Sequence, residues 1–162
     1  MRKQALIVGA LSLVFAASVV QAQAPNLSGS WALVVDPNAP PPSGRGGGGG
    51  GLGQAATLTQ DAKTLTITRT TQNGEVKMVY NLDGSESKNM VQGRGGQTEQ
   101  VSKATWEGTT LVITTNFQMG ENAVTRTQKF MLDATGQLVV STTSPGRGGG
   151  EPTTTTQTYK KG

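Results

Sequence analysis

TLTITRTTQNGEVKMVYNLDG, residues 64–84, decides the fold. Leu65 and Ile67 alternate with threonines, the two-residue period of a strand with one buried face. Asn73-Gly74 then supplies a pair suited to the left-handed positions of a tight hairpin turn. Alternation resumes through Val76, Met78, Tyr80 and Leu82, and Asp83-Gly84 turns the chain again. No helical period competes with this reading.

The same grammar extends in both directions. Upstream, Trp31, Leu33 and Val35 alternate in a first strand that ends at Asp36-Pro37, and Thr57 to Gln60 precedes the quoted hairpin as a further strand. Downstream, Ser85 to Gln92 reads as a polar strand. The pattern then repeats: Thr64-Leu65-Thr66-Ile67-Thr68 matches Thr110-Leu111-Val112-Ile113-Thr114, and Tyr80-Asn81-Leu82-Asp83 matches Phe130-Met131-Leu132-Asp133. A second four-strand unit therefore runs from about Val101 to Ser144, and Thr153 to Lys160 is the last strand. One strand, four, four and one give an all-β, antiparallel up-and-down β-barrel of eight to ten strands.

The chain has 162 residues, of which 34% are hydrophobic and 4% aromatic, enough for one modest core. Met1-Arg2-Lys3, the apolar run Ala5 to Val20 and the A-x-A site Ala22-Gln23-Ala24 read as a cleaved secretory signal over residues 1–24, leaving a single domain over 25–162. The run is shorter than the roughly 20 residues a bilayer requires, so no stable membrane anchor is expected. Without Arg2 and Lys3, 12 basic side chains face 10 acidic ones. The absence of cysteine excludes disulfides, a thiol nucleophile and a lipid-modified cysteine. The expected location is periplasmic or extracellular.

Glycine-rich loops occupy residues 37–54, 93–98 and 145–151, the first containing GRGGGGGGLG at 44–53. Each neighbouring pair is separated by four strands, an even number, so all three belong at one end of a meander and the short turns at the other. Arg45, Arg94 and Arg147 would then sit on a glycine-rich rim, with Glu75, Glu99, Glu121 and Glu151 offsetting them. RNA-binding Arg-Gly-Gly boxes come as close repeats with interleaved aromatics, and one copy per loop does not meet that pattern, so no nucleic-acid partner is expected. A phosphate-cradling loop needs a lysine, a Ser/Thr and a following helix, none of which is present.

Asn26-Leu27-Ser28-Gly29-Ser30-Trp31, a Gly-x-Trp entering the first strand, resembles the start of the lipocalin-like β-barrel domains common in exported bacterial proteins. The likeness continues through the threonine-rich strands to Thr158-Tyr159-Lys160-Lys161, without the Thr-Asp-Tyr motif or cysteine pair of lipocalins proper. The resemblance implies that Trp31 plugs the closed end and that the first loop is a lid at the open end. It also implies a basic residue across Trp31, for which the register offers Lys160.

Enzymatic chemistry has little to work with. The sequence has no His and no Cys, its acids sit mostly in turns, and no cluster has metal-ligand spacing, so a non-enzyme without metal or cofactor is expected. The strand faces are more informative. Arg69 and Thr71 continue the face of Leu65 and Ile67, and Gln128 and Arg126 continue the face of Leu132 and Phe130. Arg69, Arg126, Gln128 and Tyr80 would thus line a cationic collar above an apolar floor, suited to a small amphipathic, anionic ligand. Two readings stay open: that collar, or arginines that snorkel to water with Tyr80 in the core. The matching alternative function is an interaction module with a packed interior whose rim loops meet a macromolecule. The sequence sets no oligomeric state.

Overall fold

The computed structural model describes residues 23–35, 51–71, 74–93, 96–119, 122–146 and 150–162. Residues 1–22, which hold most of the expected signal, lie outside them, as do Asn73, Glu121 and the three arginines expected on the rim, Arg45, Arg94 and Arg147.

Ten strands follow in chain order: β1 Gly29–Leu33, β2 Ala55–Gln60, β3 Thr64–Thr71, β4 Gly74–Asn81, β5 Glu86–Gly93, β6 Gly96–Glu107, β7 Thr110–Met119, β8 Asn122–Leu132, β9 Leu138–Ser144 and β10 Thr153–Lys161. They form one antiparallel sheet in the order β4-β3-β2-β1-β10-β9-β8-β7-β6-β5. Every neighbour is a chain neighbour except β1 and β10, which pair through Trp31 with Lys161 and Leu33 with Tyr159. This is the up-and-down barrel that the alternation predicts, with ten strands and no helix among the described residues.

The element bounds shift in two places. Val35 lies beyond β1 and is 67% exposed, although the Val34 amide still donates to Thr158 O of β10 at 2.8 Å. β6 begins at Gly96 instead of Val101, so Gln97 and Thr98 pair with β5 and the second glycine loop shrinks.

Alternation sorts the side chains. Leu58, Leu65, Ile67, Leu111, Ile113, Phe130, Leu138, Val140 and Tyr159 point inward and are at most 2% exposed. Each fully buried large apolar side chain contributes about 1.5–3 kcal/mol, so this floor is the main source of stability. Outward positions carry hydroxyls that pair across strands, Ser141 with Thr156 at 3.0 Å and Thr143 with Thr154 at 2.7 Å. The ion pairs Lys88–Glu99, Lys103–Glu86 and Lys129–Glu107 are exposed and add little.

Turns at one end are held by aspartates. Asp61 accepts from the amides of Lys63 and Thr64, Asp83 from Ser85, and Asp133 from Thr135 and Gln137. Hydrogen bonds hold all three carboxyls below the usual carboxylate range, led by the Lys63 amide at Asp61, the Ser85 hydroxyl at Asp83 and the Thr135 hydroxyl at Asp133. The strand ends that flank the three glycine-rich segments lie at the other end, as the parity of the meander requires.

The sheet closes between β4 and β5 without a backbone ladder. The Asn89 side-chain amide stands in for a peptide group: Val79 N donates to its Oδ1 at 2.8 Å, and its Nδ2 donates to Val79 O at 3.0 Å. Lower down, Asn81 N donates to Ser87 Oγ at 2.7 Å and Asn81 Nδ2 to Glu86 O at 3.1 Å. Inward-pointing polar side chains of β5 therefore zip the edge of β4. Above Asn89 the seam widens into a groove of about 560 Å³ lined by Glu75, Val76, Lys77, Met90, Gln92 and Gln97.

At the tight end, Trp31 is 2% exposed and its Nε1 donates to Leu27 O at 2.9 Å, so Leu27 and Trp31 seal the base together. The basic residue across the indole is Lys161, whose Nζ lies 5.7 Å from the ring centroid. It is not Lys160, which pairs with Ala32 and shares its outward face. Gly29 makes this possible: at φ +148° it lies under the Lys161 stem, and a Cβ there would come within 2.6 Å of Lys161 Cε.

Candidate functional site

Arg69 and Arg126 stand on opposite walls. β3 and β8 are five places apart in the ten-strand order, so side chains pointing inward from them converge across the lumen. Arg69 follows Leu65 and Ile67 on the inner face of β3, and Arg126 precedes Gln128 and Phe130 on the inner face of β8. Both residues are half-buried, and the Nε of each is buried without a hydrogen-bond partner.

Each guanidinium has one supporting contact. Arg69 Nη1 donates to Gly51 O at 3.0 Å, and Arg126 lies over the Phe117 ring, 4.8 Å from its centroid. Burial, and then the charge of Arg69, hold the Arg126 guanidinium below its ordinary range, while Tyr80 acts in the opposite direction. Tyr80 is 4% exposed and its hydroxyl meets only Met78 Sδ, at 3.4 Å. Burial pushes it up to about 12, against the pull of Arg69 and then Arg126, so it stays a neutral phenol.

The collar residues of the sequence reading thus divide. Arg69, Arg126 and Tyr80 share one electrostatic neighbourhood. Gln128 is half-buried on β8 opposite Ile113 and Thr142, two residues nearer the floor than Arg126. The lateral row from Arg126 runs through Thr115, Ser102 and Ser87, with Ser102 and Thr115 hydroxyls 2.9 Å apart. The three rim arginines remain outside the described residues.

Sequence reasoning missed two features. Phe117 is on the Leu111, Ile113 and Thr115 face, so alternation alone could have placed it beside the lumen. The end of the first glycine tract enters the barrel instead of remaining on the rim. Leu52 is 2% exposed and its amide donates to the Tyr159 hydroxyl at 3.0 Å. A Cβ on Gly51 would overlap the Gln157 amide and push it aside. The signal was Leu52 itself, one apolar residue in a tract of glycines.

A second groove, of about 350 Å³, includes Arg69 among its walls. Ser30, Ala32, Ala55, Thr57, Thr68 and Thr70 belong to outward positions, so this groove is on the outer surface and does not bear on the lumen.

Chemically, the lumen offers donors. The eight described carboxylates are in tight-end turns, on the outer face or beyond the strand ends, and none pairs with either arginine. Among the described residues no cluster of metal-ligating side chains forms. The fold and site define a class: an up-and-down β-barrel with two inward arginines that no described carboxylate pairs with. Neither a protein-family profile nor a curated protein sequence matches this chain.

Proposed function

We propose that the chain is an exported, non-enzymatic, lipocalin-like barrel that binds a small anionic or amphipathic molecule in its lumen. The observation that carries this reading is the pair of inward guanidiniums with unpartnered, buried Nε atoms, neither of them in an ion pair with a described carboxylate. Leaving charged donors unsatisfied in a partly desolvated place is costly, and an anion relieves the cost. A phenol neutral to about pH 12 and two permanent cations supply binding groups and no general base, which supports a binder over a hydrolase.

The packed floor favours a second reading. Since Leu65, Leu111, Ile113, Phe130 and Leu138 leave no exposed apolar surface beneath the arginines, an interaction module with a filled interior, touching a macromolecule through its rim, would have the same base.

Native mass spectrometry of the protein from cells that export it, beside an Arg69→Met/Arg126→Met variant, separates the two. The expected result is a polypeptide starting at Pro25 that carries a small molecule, lost from the variant. A bare polypeptide in both samples overturns the binder and leaves the interaction module.

A further inference from the structure

We infer that the occupant of this lumen is a compact dianion clamped between the Arg69 and Arg126 guanidiniums. The inference rests on the anion-binding reading and adds the ligand's charge and shape.

Charge balance comes first. The two arginines place two positive charges in one neighbourhood, and no described carboxylate forms an ion pair with either. A monoanion leaves one guanidinium uncompensated; a dianion matches both. Geometry agrees, because forks that approach from opposite walls of the barrel grip two sides of one small group.

Shape follows from what surrounds the pair. Below lie Ile67, Ile113 and Phe130, each at most 2% exposed, so no slot receives a hydrocarbon chain. Phe117 covers Arg126, and the Gly51 carbonyl with the buried Leu52 closes over Arg69. An amphipathic ligand at the collar therefore has no room beneath it for a hydrocarbon tail. Phosphate monoesters, inorganic sulfate and short dicarboxylates share the required chemistry.

Calorimetry at fixed ionic strength with phosphate, sulfate, succinate, acetate and decanoate tests this. The expected outcome is that the doubly charged probes bind at least about tenfold more tightly than acetate and decanoate. Phosphate should weaken from about pH 8 to pH 5 as it takes up its second proton, whereas sulfate should not. Arg69→Met and Arg126→Met should each weaken binding by about tenfold or more, and Arg69→Lys and Arg126→Lys, which keep charge but lose the fork, by less. The relative response to sulfate and succinate identifies the oxyanion or dicarboxylate source. Decanoate binding more tightly than every dianion would overturn this inference while leaving the anion binder standing. No binding by any probe overturns both, and dianion binding that survives in the double Met variant overturns the site.

Discussion

Tyr80 shows how much one buried phenol contributes to the pH range of the fold. Its folded value of about 12 lies above the ordinary 10.0, because the phenolate would be desolvated. The folded state thus holds the proton more tightly than the unfolded chain. This contribution is fully present below pH 10 and is lost as pH rises towards 12. Two units correspond to about 3 kcal/mol at most. Tyr159, raised first by burial, acts in the same direction. Urea melts between pH 9 and pH 12 should show stability falling steeply in the wild type and less steeply in Tyr80→Phe. Equal slopes would show that the phenol titrates as if exposed. An anion held by Arg69 and Arg126 would sharpen the effect, since a phenolate at Tyr80 would repel it.

The β4–β5 seam is the element on which closure depends, and side chains make it. Asn89→Leu keeps the volume but removes both bonds to Val79, leaving an amide and a carbonyl unpaired at a half-buried edge. The expected cost is about 2–4 kcal/mol. Hydrogen exchange should show the Val79 and Asn81 amides opening early while β8 stays protected; uniform exchange across both strands would refute a local seam. This is also where legibility in the sequence ended. Alternation at Leu65, Ile67, Met78 and Tyr80 fixed which faces are inward, and the parity of the meander fixed which end carries the glycine tracts. Ser87 and Asn89 showed only as polar residues of a polar strand, because a two-residue period names a face but not the edge a side chain reaches. Lys161 was missed in favour of Lys160 for a related reason: a one-residue register step exchanges inside for outside. Arg69 and Arg126 were legible as inward positions, yet their convergence depends on β3 and β8 being five strands apart in a ring of ten.

At the scale of the molecule, the barrel joins two unlike halves. The floor below is packed and apolar, while at the collar burial, and then the charge of Arg69, disfavour the Arg126 cation. Placing Met at one wall removes the repulsion and the desolvated charge, and forfeits the contact with Phe117, which is worth about 0.5–2 kcal/mol. Replacing partly buried charges by apolar groups of similar volume commonly stabilises a fold by about 1–4 kcal/mol, so the balance favours the variant. Arg126→Met should therefore raise the Tm of the ligand-free protein by about 3–8 °C. The wild type should recover the difference as sulfate is added, because an anion that binds only the folded barrel stabilises it by RT ln(1 + [L]/Kd). Sulfate also stabilises proteins in general through exclusion from their surfaces, so the decisive quantity is the excess slope of wild type over variant. Thermal melts of both proteins across a sulfate series supply it. Converging Tm values mean that the collar is a site whose unfavourable charge is relieved by its ligand. Parallel curves mean that the arginines already reach water, and the barrel then owes its stability to the floor alone.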